Sequence, residues 1–351
     1  MPELAPLTFE PGSAPLEDVA VLEVAGEFSG YAGRLLASLG ANVTPVAAPA
    51  TAEQAARLFE QLAEFDVLLV SGGADAPPVV RLEPTAVRDA YPRLIHAILT
   101  PFGLSGPMAN WHSTDLVRLA AGGLLWLGGY PDAEPIAPYG EQSTLCTAIF
   151  AAIAVLLALL ERDHTGAGRT VEISAQEVLV QALETSLPEY ELTGNVRRRA
   201  GSAPREAATG VYPCADGFVS MVAGRLGTAR AWMRLREWLV EEGTAGAEDL
   251  FGEQWETLEF RQRPESVARF SRMFAEFAAD KTKGALYAEA QRRGIALAPV
   301  NTATEVLEDP QLAARGFFAE TPPSGDNGAG PAPTPSAPYR FWTVRERMPA
   351  S

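Results

Sequence analysis

Glu141, Thr144 and Cys146 stand within six residues of one another at the head of the most apolar stretch of the chain, residues 144–160. A carboxylate, a hydroxyl and a thiol are three side-chain types that can attack an activated carbonyl, and a helix start favours an anionic group. Glu141 lies one helical turn before Thr144, so the two share a side if that turn is helical. Two readings of Glu141 stay open: a working carboxylate, or an acidic residue that only complements the helix dipole. Cys146 falls on another face, where packing is its commoner role. A second kind of chemistry is suggested by breaks that follow strand-like runs. Phe28-Ser29-Gly30, with Arg34 one turn further on, and Gly72-Gly73 are places where backbone N–H groups or a cation can approach a phosphate. A plain strand-to-helix loop is the alternative there. His96, His112 and His164 are isolated and form no metal-ligand pattern.

The bulk properties narrow the classes. A net charge of −16 over 351 residues argues against a nucleic-acid or anionic-membrane surface, while leaving room for a small anionic ligand held by a few local cations. Cys146 and Cys214 make no disulfide framework, so a cytoplasmic, reducing setting is expected. The acidic, Pro-rich N-terminus lacks the pattern of a signal peptide. Residues 144–160 are Ala-rich and slightly short for a membrane span, and read as a buried core helix.

The elements that must position these groups alternate. Strand-like runs cover 19–24, 42–46, 65–70, 94–99 and 169–173; helical patterns cover 31–39, 51–64, 144–160 and 175–187. This alternation predicts an α/β fold with a doubly wound parallel sheet. Beyond about Asn195 the pattern changes to a β-type region at 211–222 and an amphipathic, mostly helical segment at 228–293. Residues 322–338 read as a Pro/Gly-rich loop. Three regions result: 1–194, a second and smaller α+β region over 195–318, and a return segment over 319–351.

Five segments, in order, resemble CoA-transferase family III, the group of the formyl-CoA and carnitine-CoA transferases. They are 38–43 (SLGANV), 92–107 (PRLIHAILTPFGLSGP), 150–168 (ending LLERDHTGAG), 210–217 (GVYPCADG) and 295–318, with Pro299-Val300-Asn301 and Arg315-Gly316-Phe317-Phe318. The resemblance implies a Rossmann-like large domain, a small α+β domain and a dimer of interlocked chains. It also implies ping-pong transfer of CoA between an acyl-CoA and a carboxylic acid, through an aspartate that forms an anhydride and then a CoA thioester. A carboxylate suits that cycle because carboxylate exchange preserves acyl activation, whereas a hydroxyl would end in a stable ester. No covalently bound cofactor is implied; CoA and acyl-CoA are substrates.

Aligned without gaps on Phe150, the family's aspartate falls on Thr144. The histidine that racemase relatives pair with it falls on Thr114, so acid–base racemisation loses both groups; His96 reads as a core residue and His112 as a surface one. The CoA-binding turns are also altered: Ser29-Gly30 and Arg34 stand at the first, 43–49 lack the usual cation and acid, and Gly72-Gly73 replace an Asn/Phe/Arg segment. The chain stops at Ser351, before a segment the family usually carries. These departures suggest a non-nucleophilic subunit that pairs with a paralogous CoA-transferase chain, with acyl-CoA held wholly or partly by that partner. The loop 197–204 is its candidate contribution. The alternatives are a stand-alone enzyme using Glu141, or a non-enzymatic acyl-CoA-binding or scaffold protein.

Overall fold

A computed structural model describes residues 14–72, 82–201, 204–225, 227–321, 332–339 and 341. The chain divides into two compact units. The described residues of the first fall within Met1–Gly129, Glu134–Arg199 and Ala319–Ser351; the second comprises Tyr130–Ala133 and Ala200–Phe318.

The first unit runs β1 (Ala20–Val24), α1 (Tyr31–Ala37), β2 (Asn42–Val46), α2 (Ala52–Gln61), β3 (Val67–Ser71), α3 (Pro84–Ala90), β4 (Ile95–Thr100), α4 (Asp115–Ala121), α5 (Leu124–Leu127), α6 (Gln142–Thr165), β5 (Thr170–Ser174), α7 (Ala175–Gln181) and α8 (Ser186–Thr193). The five strands form one parallel sheet in the order β2-β1-β3-β4-β5. β3 and β4 are buried throughout, as central strands covered on both faces must be. Successive side chains feed opposite layers. Val21, Val67, Leu69, Ala97 and Leu99 pack with α1 and α6, whereas Leu22, Val24, Leu68, Val70 and Ile98 pack with α2 and α3. This order places the switch point, where ligands bind in open α/β sheets, between β1 and β3.

α6 is longer than its apolar core suggested and, among the described residues, is covered on one side only. Ala148, Ala151, Ala152, Val155 and Ala158 recur at helical spacing and pack on the sheet. Ile149, Phe150, Ile153, Leu157 and Leu160 form the opposite stripe and are exposed, Leu157 by 62%. The expected buried core helix is thus a core helix on its sheet face, with its other face exposed; its length and apolar composition would also suffice to cross a membrane. The helical pattern over 175–187 is also corrected. It is broken after Gln181, where Ala182 and Leu183 donate to the carbonyls three residues earlier and tighten the turn before α8. The break sets Leu183 against Gly123, where a Cβ would meet the end of the Leu183 side chain at 2.9 Å.

The second unit contains the antiparallel sheet β6 (Thr209–Cys214), β7 (Gly217–Val222) and β8 (Ala296–Pro299), in that order. Against it pack α9 (Ala229–Glu241), α11 (Pro264–Ala278) and α12 (Lys283–Arg293), with the short α10 (Leu258–Arg261) between. The spacing of Phe270, Met273, Phe274 and Phe277 gives α11 its buried face. Trp232, Trp238 and Trp255 fill the centre. α13 (Ala303–Leu307) opens on a capping box made by Thr302 and Glu305. Lys283 donates to Glu305 and, with the Thr302 groups, draws its carboxyl down to about 2 from the usual 4.5. The folded value lies below the unfolded one, so this contact contributes fully above the ordinary carboxylate range and is lost as pH falls through about 2. A carboxyl-carbon NMR titration should find Glu305 still ionised at pH 3, and Lys283→Met should move its midpoint back up.

The Pro/Gly-rich segment is not all loop. Ala332–Pro335 forms strand β10, paired with β9 (Phe318–Thr321), while 322–331 lie outside the described residues.

Candidate active site

Thr144 sits in the first turn of α6 and is buried. Its hydroxyl accepts a hydrogen bond from the Nη2 of Arg118 at 3.1 Å. Arg118, on α4, is 1% exposed and has its other donors engaged: Nε to Ser143 Oγ at 2.8 Å, and Nη1 to Ser113 Oγ at 3.0 Å and to the carboxylate of Glu27. The guanidinium also lies 4.9 Å from the centre of the Phe28 ring. Asp115 completes the cluster. Its Oδ1 accepts from the Ser143 N–H at 2.8 Å, the Ser143 hydroxyl at 2.5 Å and the Thr144 N–H at 3.4 Å. The start of α6, where the dipole favours an anion, is thereby served by a carboxylate from α4.

Glu141 does not join this group. It is the residue before α6, with φ −92° and ψ 67°, makes no side-chain capping bond and is exposed. Its carbonyl accepts the first helical bond of α6, from the Leu145 N–H at 3.0 Å, but its own backbone angles are not helical. Cys146 is half-buried, and burial raises its thiol pKa, with the Asp115 charge adding to the effect. That is the reverse of an activated thiol. Thr114 caps α4 by accepting from the Val117 N–H. His96 is buried on β4 and His112 is exposed.

The phosphate-side candidates Ser29, Gly30 and Gly72 are close to the switch point, and the donors described for them are used internally. Ser29 Oγ accepts from the Gly26 N–H at 3.0 Å and donates to the Gly26 carbonyl at 2.8 Å. The Gly30 N–H donates to Oε1 of buried Glu23 at 2.7 Å, and the Gly33 N–H reaches the same oxygen at 3.3 Å. Gly33 is needed for this: a Cβ there would stand 2.3 Å from Glu23 Oε2. The Gly72 N–H donates to the Leu99 carbonyl at 2.6 Å, and Gly73 lies outside the described residues. Arg34 is exposed, its guanidinium 5.1 Å from the Tyr31 ring. The crevice itself is closed, because Gly26 approaches Ser71 so tightly that a Cβ would meet Ser71 Cβ at 2.5 Å, and Ser71 Oγ accepts from the Phe28 N–H at 3.1 Å. Glu23 does here what a bound anion would do. Glu23→Ala should therefore destabilise the chain by about 2 kcal/mol through the loss of charge-assisted hydrogen bonds, read as a lower urea midpoint.

A cavity of about 350 Å³ lies elsewhere in the same unit, lined by Trp126, Leu127, Leu183, Leu187, Tyr190 and Arg197 among others. Its wall is fixed: Trp126 Nε1 donates to the Arg197 carbonyl at 2.9 Å, and Arg197 is paired with Glu189 at 3.2 Å. The size and lining suit a small apolar group.

Sequence reasoning did not find Arg118 or Glu27. Each reads as an ordinary residue of its own segment, and no local spacing links positions 91 residues apart. Asp115, next to Thr114 in the sequence, carries no local signal of its role at the start of α6 either.

Residues 49–351 match CoA-transferase family III. The chain belongs to that family. Among curated members it is 32% identical over 257 residues to the succinyl-CoA:(R)-benzylsuccinate CoA-transferase subunit BbsE of Thauera aromatica, a match covering 73% of this chain and 62% of that one. It is 24% identical over 272 residues to the succinyl-CoA–L-malate CoA-transferase alpha subunit of Chloroflexus aurantiacus, covering 76% and 61%. The chain thus spans about three fifths of the length of these two family members. Its fold is that of a CaiB/BaiF family protein from Brucella suis, with a TM-score of 0.76 at 22% identity over 93% of this chain and 97% of the other. Family III proteins use CoA thioesters as substrates, and among the described residues no cluster suited to a metal accompanies the site.

Proposed function

We propose that this chain is the non-nucleophilic subunit of a heteromeric family III CoA-transferase, which moves CoA between an acyl-CoA and a carboxylic acid. The observation that carries this reading is the state of position 144. A hydroxyl, bound to Arg118, stands where the family's aspartate aligns, and the carboxylates around it are engaged in fixing protein groups. A hydroxyl there would give an ester and end the cycle, so the nucleophile comes from a paralogous chain. Two relatives described above are themselves named as subunits. The exposed apolar stripe of α6 supports the same reading, since a contiguous apolar face of that kind marks a protein contact. Both relatives use succinyl-CoA by name, which makes it the first donor to assay.

Co-expression with an aspartate-bearing paralogue should give a mixed dimer by native mass spectrometry. CoA transfer from succinyl-CoA should appear in the mixture and not in this chain alone. Asp→Asn in the paralogue should lower kcat by about a thousandfold or more, as loss of a nucleophile does, while Glu141→Gln in this chain should leave it nearly unchanged. Ile153→Glu with Leu157→Glu should prevent pairing without unfolding the isolated chain, because both side chains are exposed. A stable homodimer that never pairs would overturn the proposal.

A further inference from the structure

We propose that Arg118 forms the floor of a carboxylate-binding slot whose resident occupant is Glu27, and that a small carboxylic acid exchanges with Glu27 there. Ser143, Thr144 and Ser113 give the guanidinium neutral oxygens, and Phe28 gives it a ring face. None of these neutralises it. Asp115 lies at 4.0 Å and is committed to the start of α6. The charge-assisted bond to Arg118 is made by Glu27, whose side chain is 45% exposed while Arg118 is 1% exposed. Without Glu27 the buried cation would keep only the more distant Asp115 carboxylate, so departure of Glu27 is favoured when another anion takes its place. Exchange of one carboxylate for another leaves the charge of the cluster unchanged, and Glu27 itself shows that a carboxylate fits the Nη1 side.

Position also favours exchange. Glu27 is carried on the β1–α1 connection, which turns at Gly26 and Ser29 rather than lying inside an element. Arg118 lies on α4, Ser143 and Thr144 on α6 and Ser113 just before α4, so the receptor half is built mainly on helices and the plug half is a loop side chain at the solvent boundary. The slot adjoins position 144, where the family's chemistry is centred. It therefore deepens the reading above by assigning the acceptor acid's carboxylate to this chain. Its test needs neither a partner chain nor a CoA thioester, so its failure would leave the heteromer reading standing.

The probes are succinate and acetate, with chloride as the control anion. Glu27→Gln keeps the side-chain volume and an acceptor oxygen but removes the competing charge. By calorimetry on the isolated chain it should bind succinate about tenfold more tightly than the parent, the difference between displacing a neutral and a charge-assisted hydrogen bond. Glu27→Ala should melt at a lower temperature than the parent and recover in acetate but not in chloride, whereas Glu161→Ala, which removes a surface partner of Arg169, should show no such recovery. Equal succinate affinity in Glu27→Gln and the parent would overturn the proposal. So would recovery of Glu27→Ala by chloride as well as by acetate. If Glu27→Ala does not fold, the calorimetric comparison on Glu27→Gln decides alone.

Discussion

Arg118→Met should lower the stability of the chain by about 3 kcal/mol, the low end of what breaking a buried ion pair costs. Methionine fills the volume of the arginine stem, so the loss is one of charge and donors rather than of packing. Ser143, Thr144 and Ser113 would each lose the donor they now accept from. Glu27 would lose its partner, but its exposure lets it turn to water, which keeps the cost from the upper end of the range. Arg118→Lys should recover little. A single ammonium cannot serve four acceptors spread around a planar fork, and it does not stack on Phe28 as a guanidinium does. Urea unfolding measures both variants, and a parental midpoint in Arg118→Met would mean that the cluster contributes nothing to the fold.

The second large effect lies in the other unit. Trp255→Ala should cost about 4 kcal/mol, as expected for truncating a fully buried aromatic. The indole meets Phe260 edge-on at 5.1 Å and Trp232 at 6.1 Å between ring centres. Trp232 in turn carries the guanidinium groups of Arg236 and Arg261 at 5.3 and 5.2 Å. Burial depresses the Arg261 pKa, against which the Glu256 and Glu206 charges act, and the carbonyls of Trp255 and Gly224 accept from it at 2.6 and 2.7 Å. Removing the Trp255 ring opens a cavity beside two desolvated cations and admits water to them. Near-UV circular dichroism should lose the signature of the indole pair along with the stability. Trp255→Phe, which retains most of the ring area, should cost less than half as much.

Much of this protein was determined by its sequence alone. The continuous apolar runs of β3 and β4 can be satisfied only by strands covered on both faces, and their alternation with helical patterns leaves a parallel sheet as the solution. Family membership was legible because five local segments recur in order, and local segments are what a sequence displays. Where one segment met another, the sequence was silent. The apolar pattern of α6 does not say that one side stays bare, because periodicity reports which residues are apolar and not what covers them. The break between α7 and α8 depended on where Leu183 had to go, and the pairing of 332–335 on a distant strand. The candidate site shows the limit most clearly. Glu27 follows the first strand of the sheet, Arg118 lies on the helix after the fourth strand in the chain, and Ser143 and Thr144 begin the helix before the fifth. Only the order of parallel strands brings those three segments to one end of the sheet, so the charge that surrounds position 144 was decided by the tertiary structure.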